Sequence, residues 1–479
     1  MPNVVDTPQS FCGFGLARGD VTPPVGMYHR MWGAAAHDRS TGVHRPLLAT
    51  ALWIGPRTDP ASGLVLVSLD HCVFWGRANA ELLDKIAAKA GIERTRLMVA
   101  FSHTHGAGLL DPDRVDRPGG DQIAPYLEEM ADRIVALIAE AQARVQPATL
   151  TYGTGHCNLA AQRDYFDEAG GRFVCGFNPD GVADDTVMVI RVTGDDGRLL
   201  ASVVNYACHP TTLAWQNTLI SPDFPGAMRE LIERETGAPC VFLQGASGDL
   251  GPREGFVGDP AVADRNGRQL GYAALAVLEG MAPPQTRFAF AGAVESGAVL
   301  GPWKHVELDE TRRRQAAVWK RQRWTVPLPY RPGLPTVAAS RQEREHWQGE
   351  LQQALDRGDA PRVAECRAFV ERMDRQLTRF SDLPPGPDYP FIVHLWQAGD
   401  ALWLAVGGEH YQYLQVELRR RFPETPIVVM TLIDDWRPGY LPTAPTYGRA
   451  IYQEQIAILA AGSLERLTEA IAAQAEAWL

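Results

Sequence analysis

The 479-residue sequence predicts an α/β protein with mixed or parallel sheets flanked by helices. Residues 63–69 and the apolar run from Leu97 have the composition of buried strands, and residues 77–90 between them carry apolar side chains at helical spacing. This strand–helix–strand order is typical of a parallel βαβ unit. The apolar run 47–55 does not alternate, as expected for a strand buried on both faces. Open α/β sheets bind ligands beyond the carboxyl ends of their strands, so we expect a site there.

Apolar patterns and cap residues predict further helices and strands along the chain. A helix is predicted over 124–143, and another runs from Asp223 or Ser221, as N-cap, to about Glu235. A third helix is expected near 261–280. The expected strands are 148–153, 186–193, 199–206, 241–243, 391–406 (a strand–turn–strand) and 427–432.

Residues 303–390 differ in character because they are rich in Arg and Glu and are interrupted by proline-rich stretches. Helical segments are predicted over 308–323 and 340–378. We interpret 303–390 as a helical insertion within a single domain that spans 1–479, and a lid over the pocket is the role we expect for it.

Charge and cysteine usage narrow the class of protein. A formal net charge of −11 argues against a nucleic-acid or anionic-membrane partner, which leaves a small-molecule substrate. The first residues lack the basic and apolar segments of a secretory signal, and no apolar run is long enough to span a bilayer. The seven scattered cysteines contain no CxxC motif, which favours reduced thiols and a cytoplasmic location.

Two histidines follow the strand that begins at Leu97. On a strand, alternate side chains share a face, so His103 and His105 are expected to project together from its end. Gly106 and Gly108 then allow a sharp turn. The pair could bind a metal ion or lie in an exposed turn.

Polar residues also follow three later apolar runs, at His209, Glu409 and Tyr440. Two histidines and a carboxylate form a common catalytic zinc set that leaves a position open for water. The grouping alone is weak evidence, because His209 could be a hydrogen-bonded loop histidine and Glu409 could cap the next helix.

Short motifs along nearly the whole chain resemble the catalytic domain of the neutral (non-lysosomal) ceramidases, which are zinc amidases. The order and spacing of these motifs carry the resemblance. The matching segments are 15–26, 41–44, Ser102 to Gly106, Asn205 to Pro210, Gly408-Glu409, and Tyr440, Tyr447 and Tyr452 at the family's spacing of seven and five.

The resemblance implies a multilayer ceramidase-like fold and a role for each matching residue. It assigns four zinc ligands: His103, His209, Glu409 and Tyr440. His105 would lie beside the metal as an acid or oxyanion donor. Arg163 and Tyr452 would stabilise the charge that develops on the carbonyl oxygen.

One departure from the family pattern affects the expected substrate. The family carries a serine, involved in catalysis or ceramide binding, where this chain has Gly251. Ser247, four residues earlier, is not an obvious substitute. The chain also ends soon after the last catalytic-domain helix, so no C-terminal immunoglobulin-like domain is expected.

The sequence therefore predicts a zinc-dependent hydrolase that cleaves a linear N-acyl amide with metal-activated water, on a substrate other than ceramide. One alternative keeps the zinc but cleaves an ester, a lactone or a sugar-derived group. A second alternative is a non-catalytic binding protein on the same fold.

Several other residues are weaker candidates. Asp70 and His71 could support the metal ligands from a strand end, and Asp249 could fix a loop or reach the metal. Asp434-Asp435 could orient Tyr440. Two sets are possible pocket residues: the histidines His29, His37 and His44, and the tryptophans Trp32, Trp215 and Trp436.

Overall fold

An eight-stranded mixed sheet organises the computed structural model, which describes residues 3–74, 76–381 and 383–479. Its strands are β1 (Gln9–Asp20), β2 (Leu48–Pro56), β3 (Leu64–Leu69), β4 (Leu97–Phe101), β5 (Gln146–His156), β6 (Thr186–Gly194), β7 (Leu199–Tyr206) and β8 (Cys240–Gln244). They lie in the order β8-β7-β6-β5-β1-β2-β3-β4. The two end pairs, β8–β7 and β3–β4, are parallel, and the pairs between them are antiparallel.

A second sheet of four strands comes from the later half of the chain. Its strands are β9 (Trp319–Pro329), β10 (Asp388–Ala398), β11 (Ala401–Val406) and β12 (Ile427–Met430), in that order. Short strands extend the fold at Val4–Val5, Gly42–Val43, Ala160–Gln162, Asp164–Asp167, Arg172–Cys175, Leu219–Ile220, Leu250–Pro252, Thr286–Phe290, Val294–Glu295, Val299–Leu300, Trp303–Glu307, Glu409–His410 and Tyr440–Leu441.

The helices are α1 (Gly76–Lys89), α2 (Ile123–Ala143), α3 (Phe224–Thr236), α4 (Pro260–Gly280), α5 (Glu310–Ala316), α6 (Val337–Arg357), α7 (Ala360–Ser381), α8 (Tyr413–Arg421), α9 (Tyr452–Ile456) and α10 (Ser463–Glu476). None of these described helices is long and apolar enough to cross a membrane.

The two sheets stack face to face between layers of helices. One buried cluster joins Phe14 and Leu66 of the large sheet to Trp403 and Met430 of the small one. Separate clusters pack α1 and α2, and α3 and α4, on the outer face of the large sheet. Helices α8 and α10 cover the outer face of the small sheet. The fold is therefore a multilayer α/β architecture, which confirms the predicted fold class.

The predicted βαβ unit is present. Strand β3, helix α1 and strand β4 follow one another, and β3 pairs with β4 in parallel, with Val65 opposite Leu97. The predicted start of helix α3 is also correct, since the Asp223 side chain accepts a hydrogen bond from the backbone N–H of Phe224.

Part of the predicted helix 308–323 is wrong. Helix α5 ends at Ala316, and residues 319–323 begin strand β9, which pairs with β10. β9 is an edge strand, and edge strands often carry exposed charges that discourage further pairing. Such a polar stretch is easily mistaken for an exposed helix. The segment predicted helical over 340–378 forms the hairpin of α6 and α7, which meet at Gly358 (φ +67°).

The buried amide of Asn205 fastens the carboxyl ends of three strands. Asn205, on β7, donates to the carbonyl oxygens of Leu243 on β8 (3.0 Å) and Val429 on β12 (2.7 Å). Its Oδ1 accepts from the N–H of Val429 at 3.3 Å. One side chain thus connects the two sheets at the edge where the polar motifs begin.

We expect Asn205→Ala to lower the free energy of unfolding by about 3 kcal/mol, because each buried polar group left without its partner costs roughly 1–3 kcal/mol. Urea denaturation followed by circular dichroism would measure the change. Asn158→Ala is the matched control, because Asn158 is exposed and bonds only at the surface. Equal effects of the two substitutions would contradict a structural role for the Asn205 amide.

Candidate metal centre

His103 reaches the site from a strained loop and not from a strand. β4 ends at Phe101, and His103 has φ +67°, a conformation that is uncommon for residues with a side chain. The expected strand alternation of His103 and His105 is therefore wrong, although their rings do lie together, with centroids 5.0 Å apart. Strained backbone of this kind concentrates at functional sites.

The loop after β4 is held by a close approach of two backbones. Gly106 accepts a hydrogen bond from the N–H of Ser221, and a Cβ on Gly106 would lie 2.7 Å from the carbonyl oxygen of Ser221. A glycine is required here. The N–H of His105 also donates to the carbonyl of Pro210, which joins this loop to the one that carries His209.

Glu409 and Tyr440 are neighbours through strand pairing. The short strands Glu409–His410 and Tyr440–Leu441 pair in parallel, with Glu409 opposite Tyr440. Gly408, immediately before Glu409, has φ +80° and turns the chain out of β11. The sequence alone did not indicate this pairing.

Three ligand atoms converge where these loops meet. Glu409 Oε2 lies 2.8 Å from His209 Nε2 and 3.4 Å from His103 Nε2, and the ligand atoms of the three residues all lie within 4.8 Å of one another. All three residues are buried. We call His103, His209 and Glu409 the candidate metal centre.

The hydrogen bonds of the two histidines leave lone pairs facing the carboxylate. His103 Nδ1 donates to the carbonyl of Cys72 at 2.9 Å, and His209 Nδ1 donates to that of Ser247 at 2.7 Å. Both Nε2 atoms then present lone pairs, as metal-binding histidines do. With both rings neutral, two nitrogen lone pairs and a carboxylate oxygen would repel one another unless a proton or a metal ion lies between them. The residues therefore fit a bound metal ion.

The charges of the centre compensate one another. Burial opposes a charge on His103, but the neighbouring Cys72 and Glu409 raise the pKa of His103 well above its ordinary value, so His103 holds a proton that a bound metal ion would displace. Burial disfavours a charge on Glu409, but His103 and His209 hold the pKa of its carboxyl well below the usual range. Burial, together with the positive charge of Arg163, lowers the pKa of His209 to about 4. At neutral pH the centre thus offers an ionised carboxylate and a neutral imidazole, the forms that bind metal ions.

Arg163 and Tyr440 lie beside these three residues. The buried guanidinium of Arg163 donates to the carbonyl of Gly248 at 2.7 Å and to the Tyr440 hydroxyl at 3.1 Å. The rings of Tyr440 and His209 stack with centroids 6.4 Å apart. Burial raises the pKa of the Tyr440 phenol well above its ordinary value, and Arg163 opposes that rise.

A cavity of about 440 Å³ opens onto this centre. Six of the seven predicted site residues line this cavity: His103, His105, Arg163, Glu409, Tyr440 and Tyr452. The seventh, His209, does not line it but contacts Glu409. His105 Nε2 is buried and has no hydrogen-bond partner among the described residues. Tyr452 is about half exposed, with its ring 5.8 Å from that of Tyr440.

One side of the cavity is aromatic. Trp32 lies 5.0 Å from the ring of His105 and contacts Trp215 and Phe256, which stack on each other. We call Trp32, Trp215 and Phe256 the aromatic wall. The third tryptophan, Trp436, also lines the cavity and donates from Nε1 to the carboxylate of Glu409.

Helix α7 supplies cavity residues that the sequence reasoning missed. Arg372, Arg375 and Arg379 line the side that includes Trp436 and Tyr452, and we call them the cationic wall. Residues spaced by three and then four lie on one face of a helix, so this spacing could have identified them as a cationic face from the sequence. Cys72, Cys175 and Thr211 line the cavity as well.

Several weaker candidates have structural partners instead. Asp70 forms a buried ion pair with Arg229, and its two oxygens accept at 2.9 and 2.5 Å. His71 bonds to the Tyr126 hydroxyl. Asp249 accepts from the N–H of Gln412.

Asp434 belongs to this structural group too, since it accepts from the N–H of Val99 and does not orient Tyr440. Asp435 accepts from Tyr389. His29 bonds to His37 and to the Gly106 carbonyl, which places that histidine pair behind the loop of His103.

Comparison with known proteins gives consistent results. The model of the family described as neutral/alkaline non-lysosomal ceramidase, N-terminal, matches residues 13–253. The neutral ceramidase of Pseudomonas aeruginosa is 27% identical over 260 residues, which cover 50% of this chain and 37% of that protein. The matched segment therefore spans well under two thirds of that relative.

Two solved structures share the fold. A ceramidase complexed with C2 superposes with a TM-score of 0.66 at 17% identity, and the neutral ceramidase of Pseudomonas aeruginosa with 0.65 at 18%. Each match covers 98% of this chain and 74% of the other. With the family model matching half of the sequence, the chain belongs to the neutral/alkaline non-lysosomal ceramidase family.

Proposed function

We propose that this protein is a zinc-dependent hydrolase that cleaves a linear N-acyl amide other than ceramide. The observation that carries the proposal is the convergence of two imidazole lone pairs and a carboxylate at the end of a cavity. The likeness to ceramidases supports a hydrolase that cleaves amide bonds.

His103, His209 and Glu409 would hold the zinc ion, with Tyr440 as a fourth ligand. When bound, zinc lowers the pKa of water and polarises a carbonyl oxygen. The protein contributes position and charge. Nδ1 of each histidine is fixed by a backbone carbonyl, so neither ring can turn away.

Hydrolysis would join the oxygen of water to the carbonyl carbon and break the carbon–nitrogen bond. The products are a carboxylic acid and an amine that takes up a proton. His105 is suited to move that proton, because its Nε2 is buried beside the centre without another partner among the described residues. Arg163 and Tyr452 would donate to the carbonyl oxygen as negative charge develops on it.

The local structure around Gly251 supports a substrate other than ceramide. Gly251 faces Arg163 and Thr211, the place where the family carries its serine, and glycine has no hydroxyl to offer. The volume of about 440 Å³ lies in the lower half of the range for small-molecule pockets, roughly 300–1,000 Å³. Because α7 lines this cavity, the α6–α7 hairpin within 303–390 is a reasonable lid.

Two alternative functions differ from the proposed one in the bond that is cleaved or in the absence of turnover. An ester, lactone or sugar-derived substrate would use the same centre. A binding protein would keep the cavity without turnover. A cytoplasmic location stays a prediction, and the seven cysteines, none of them in a disulfide, are compatible with it.

We expect the purified protein to contain about one zinc ion per chain, and His209→Ala to lose most of it because the centre would lose one of its four proposed ligands. Metal content is measured by mass spectrometry. Turnover is measured on matched amide and ester analogues of one acyl chain, with the amide preferred.

His156→Ala is the control for that experiment, because His156 is exposed and remote from the cavity. It should keep both zinc and activity. Full zinc content in His209→Ala would contradict the assigned centre. Zinc without turnover of either analogue would favour the binding protein.

Arg163→Met should lower kcat by about 10²–10³-fold, the usual cost of removing one donor to a developing oxyanion. Zinc content should stay near one per chain, since Arg163 is not a ligand. Arg253→Met, a substitution of a neighbouring arginine that contacts Phe177, is the control. An unchanged kcat, or a loss fully explained by missing zinc, would be incompatible with this role.

Gly251→Ser should fold normally and raise ceramide turnover relative to Gly251→Ala. An added Cβ would meet its nearest neighbours, Arg163 Cδ and Thr211 Oγ1, at 3.7 and 3.9 Å, which are ordinary contact distances. The alanine variant adds the same carbon without the hydroxyl. Equal ceramide rates in the two variants would show that the missing hydroxyl is not what limits ceramide cleavage.

A further inference from the structure

The cationic wall contains a buried charge without a counter-charge. Arg379 is only 4% exposed and lines the cavity. Among the described residues, its guanidinium has no ion pair or hydrogen bond, and its Nε is buried without an acceptor. The guanidinium lies over two aromatic rings. Its Cζ is 5.1 Å from the centroid of the Phe380 ring and 5.6 Å from that of the Trp436 ring.

Two other buried arginines of this protein pair with carboxylates. Arg229 bonds to both oxygens of Asp70, and Arg114 lies between Asp111 and Glu371. Arg30 and Arg163, also buried, donate hydrogen bonds to neutral oxygens of Gly33, Gly248 and Tyr440. Buried charges are normally compensated in this way because an unpaired one loses its hydration and gains nothing in return.

Nearby residues increase the positive character of this side of the cavity. Arg372 and Arg375 lie two turns and one turn, respectively, before Arg379 on the same face of α7. Among the described residues their hydrogen bonds go to neutral oxygens, those of Gln455 and Met31, although the carboxylate of Glu371, which also lines the cavity, lies near Arg375. Burial, with Arg372 and Arg331 nearby, lowers the pKa of Arg379 to about 10, which still leaves it charged at neutral pH.

Arg379 is also close to the candidate metal centre. Its guanidinium lies over the ring of Trp436, and the indole N–H of Trp436 donates to Glu409. One side chain therefore separates the unpaired cation from a proposed zinc ligand. The Tyr452 hydroxyl belongs to the same side of the cavity.

Another part of the cavity lining suits an apolar group. The aromatic wall lies against His105 and offers ring faces for packing. An amide held between the two walls would place its acyl chain on the aromatic wall. Its amine portion would then face Arg379.

We infer that the substrate is an N-acyl amino acid, whose carboxylate on the amine portion pairs with Arg379. A guanidinium matches a carboxylate through two parallel hydrogen bonds, so this ligand would supply the partner that Arg379 lacks among the described residues. The inference names the substrate class for the proposed amidase and rests on that proposed function.

The test compares two amides that differ only in charge, N-lauroylglycine and N-lauroylethanolamine, with the zinc-loaded enzyme. We expect the wild type to prefer N-lauroylglycine in kcat/KM by at least tenfold. Arg379→Met should lower that preference by about 10- to 100-fold, the usual effect of losing a hydrogen-bonded charge pair, mainly through KM. Arg379→Lys should retain part of it.

Arg362→Met is the matched control, because Arg362 lies on the same helix but pairs with Glu350 and Glu365 away from the cavity. It should leave the preference and the rates unchanged. The unfolding midpoint of Arg379→Met should be equal to that of the wild type or higher, since an uncompensated buried charge is removed. If Arg379 instead stabilised the fold, Arg379→Met would have a lower unfolding midpoint than the wild type.

Two results would overturn the inference: a wild type that shows no preference for the carboxylate, or an Arg379→Met variant that loses both activities equally. Absence of turnover on either amide by the zinc-loaded wild type would instead contradict the proposed amidase. In that case isothermal titration of the same two compounds still decides the matter. N-lauroylglycine must bind more tightly to the wild type than to Arg379→Met, or the carboxylate pairing is wrong.

Discussion

Asn205 joins β7, β8 and β12 through one buried amide, and the candidate metal centre depends on that junction. His209 follows β7 by three residues, whereas Glu409 follows β11, the neighbour of β12 in the other sheet. A slip between the sheets would separate the two ligands. An amide is well suited to the task, because it donates and accepts at once and so fixes both distance and direction.

The sequence predicted most of the elements, and the seven site residues that it proposed lie together around one cavity. Strand ends were informative because apolar runs such as 63–69 and 97–101 stop where polar motifs begin. The arrangement of the site was less accessible. The φ of His103 and the pairing of Glu409 with Tyr440 result from contacts between distant segments, which no local pattern encodes. Strand β9 was missed because its charges belong to a sheet edge.

The cavity separates charges that would otherwise cancel. Glu409 is stabilised as an anion by two histidines, while Arg163 is held by the carbonyl of Gly248 and by Tyr440 instead of by a carboxylate. If Arg163 paired directly with Glu409, the centre would lose both a ligand and a donor for the carbonyl oxygen. The neutral indole of Trp436 similarly occupies one oxygen of Glu409 and leaves the other, Oε2, for the histidines.

The two walls of the cavity come from different parts of the chain, and this bears on how the substrate could have changed within the family. The family model matches residues 13–253, which contain His103, Arg163 and His209 and also the tryptophans of the aromatic wall. The cationic wall lies on α7, outside that match. Under the proposed function, a change of amine portion would therefore need no change in the residues proposed for hydrolysis. Substitutions on one helix face, together with Gly251 beside Arg163, would alter the part of the cavity that faces the amine portion.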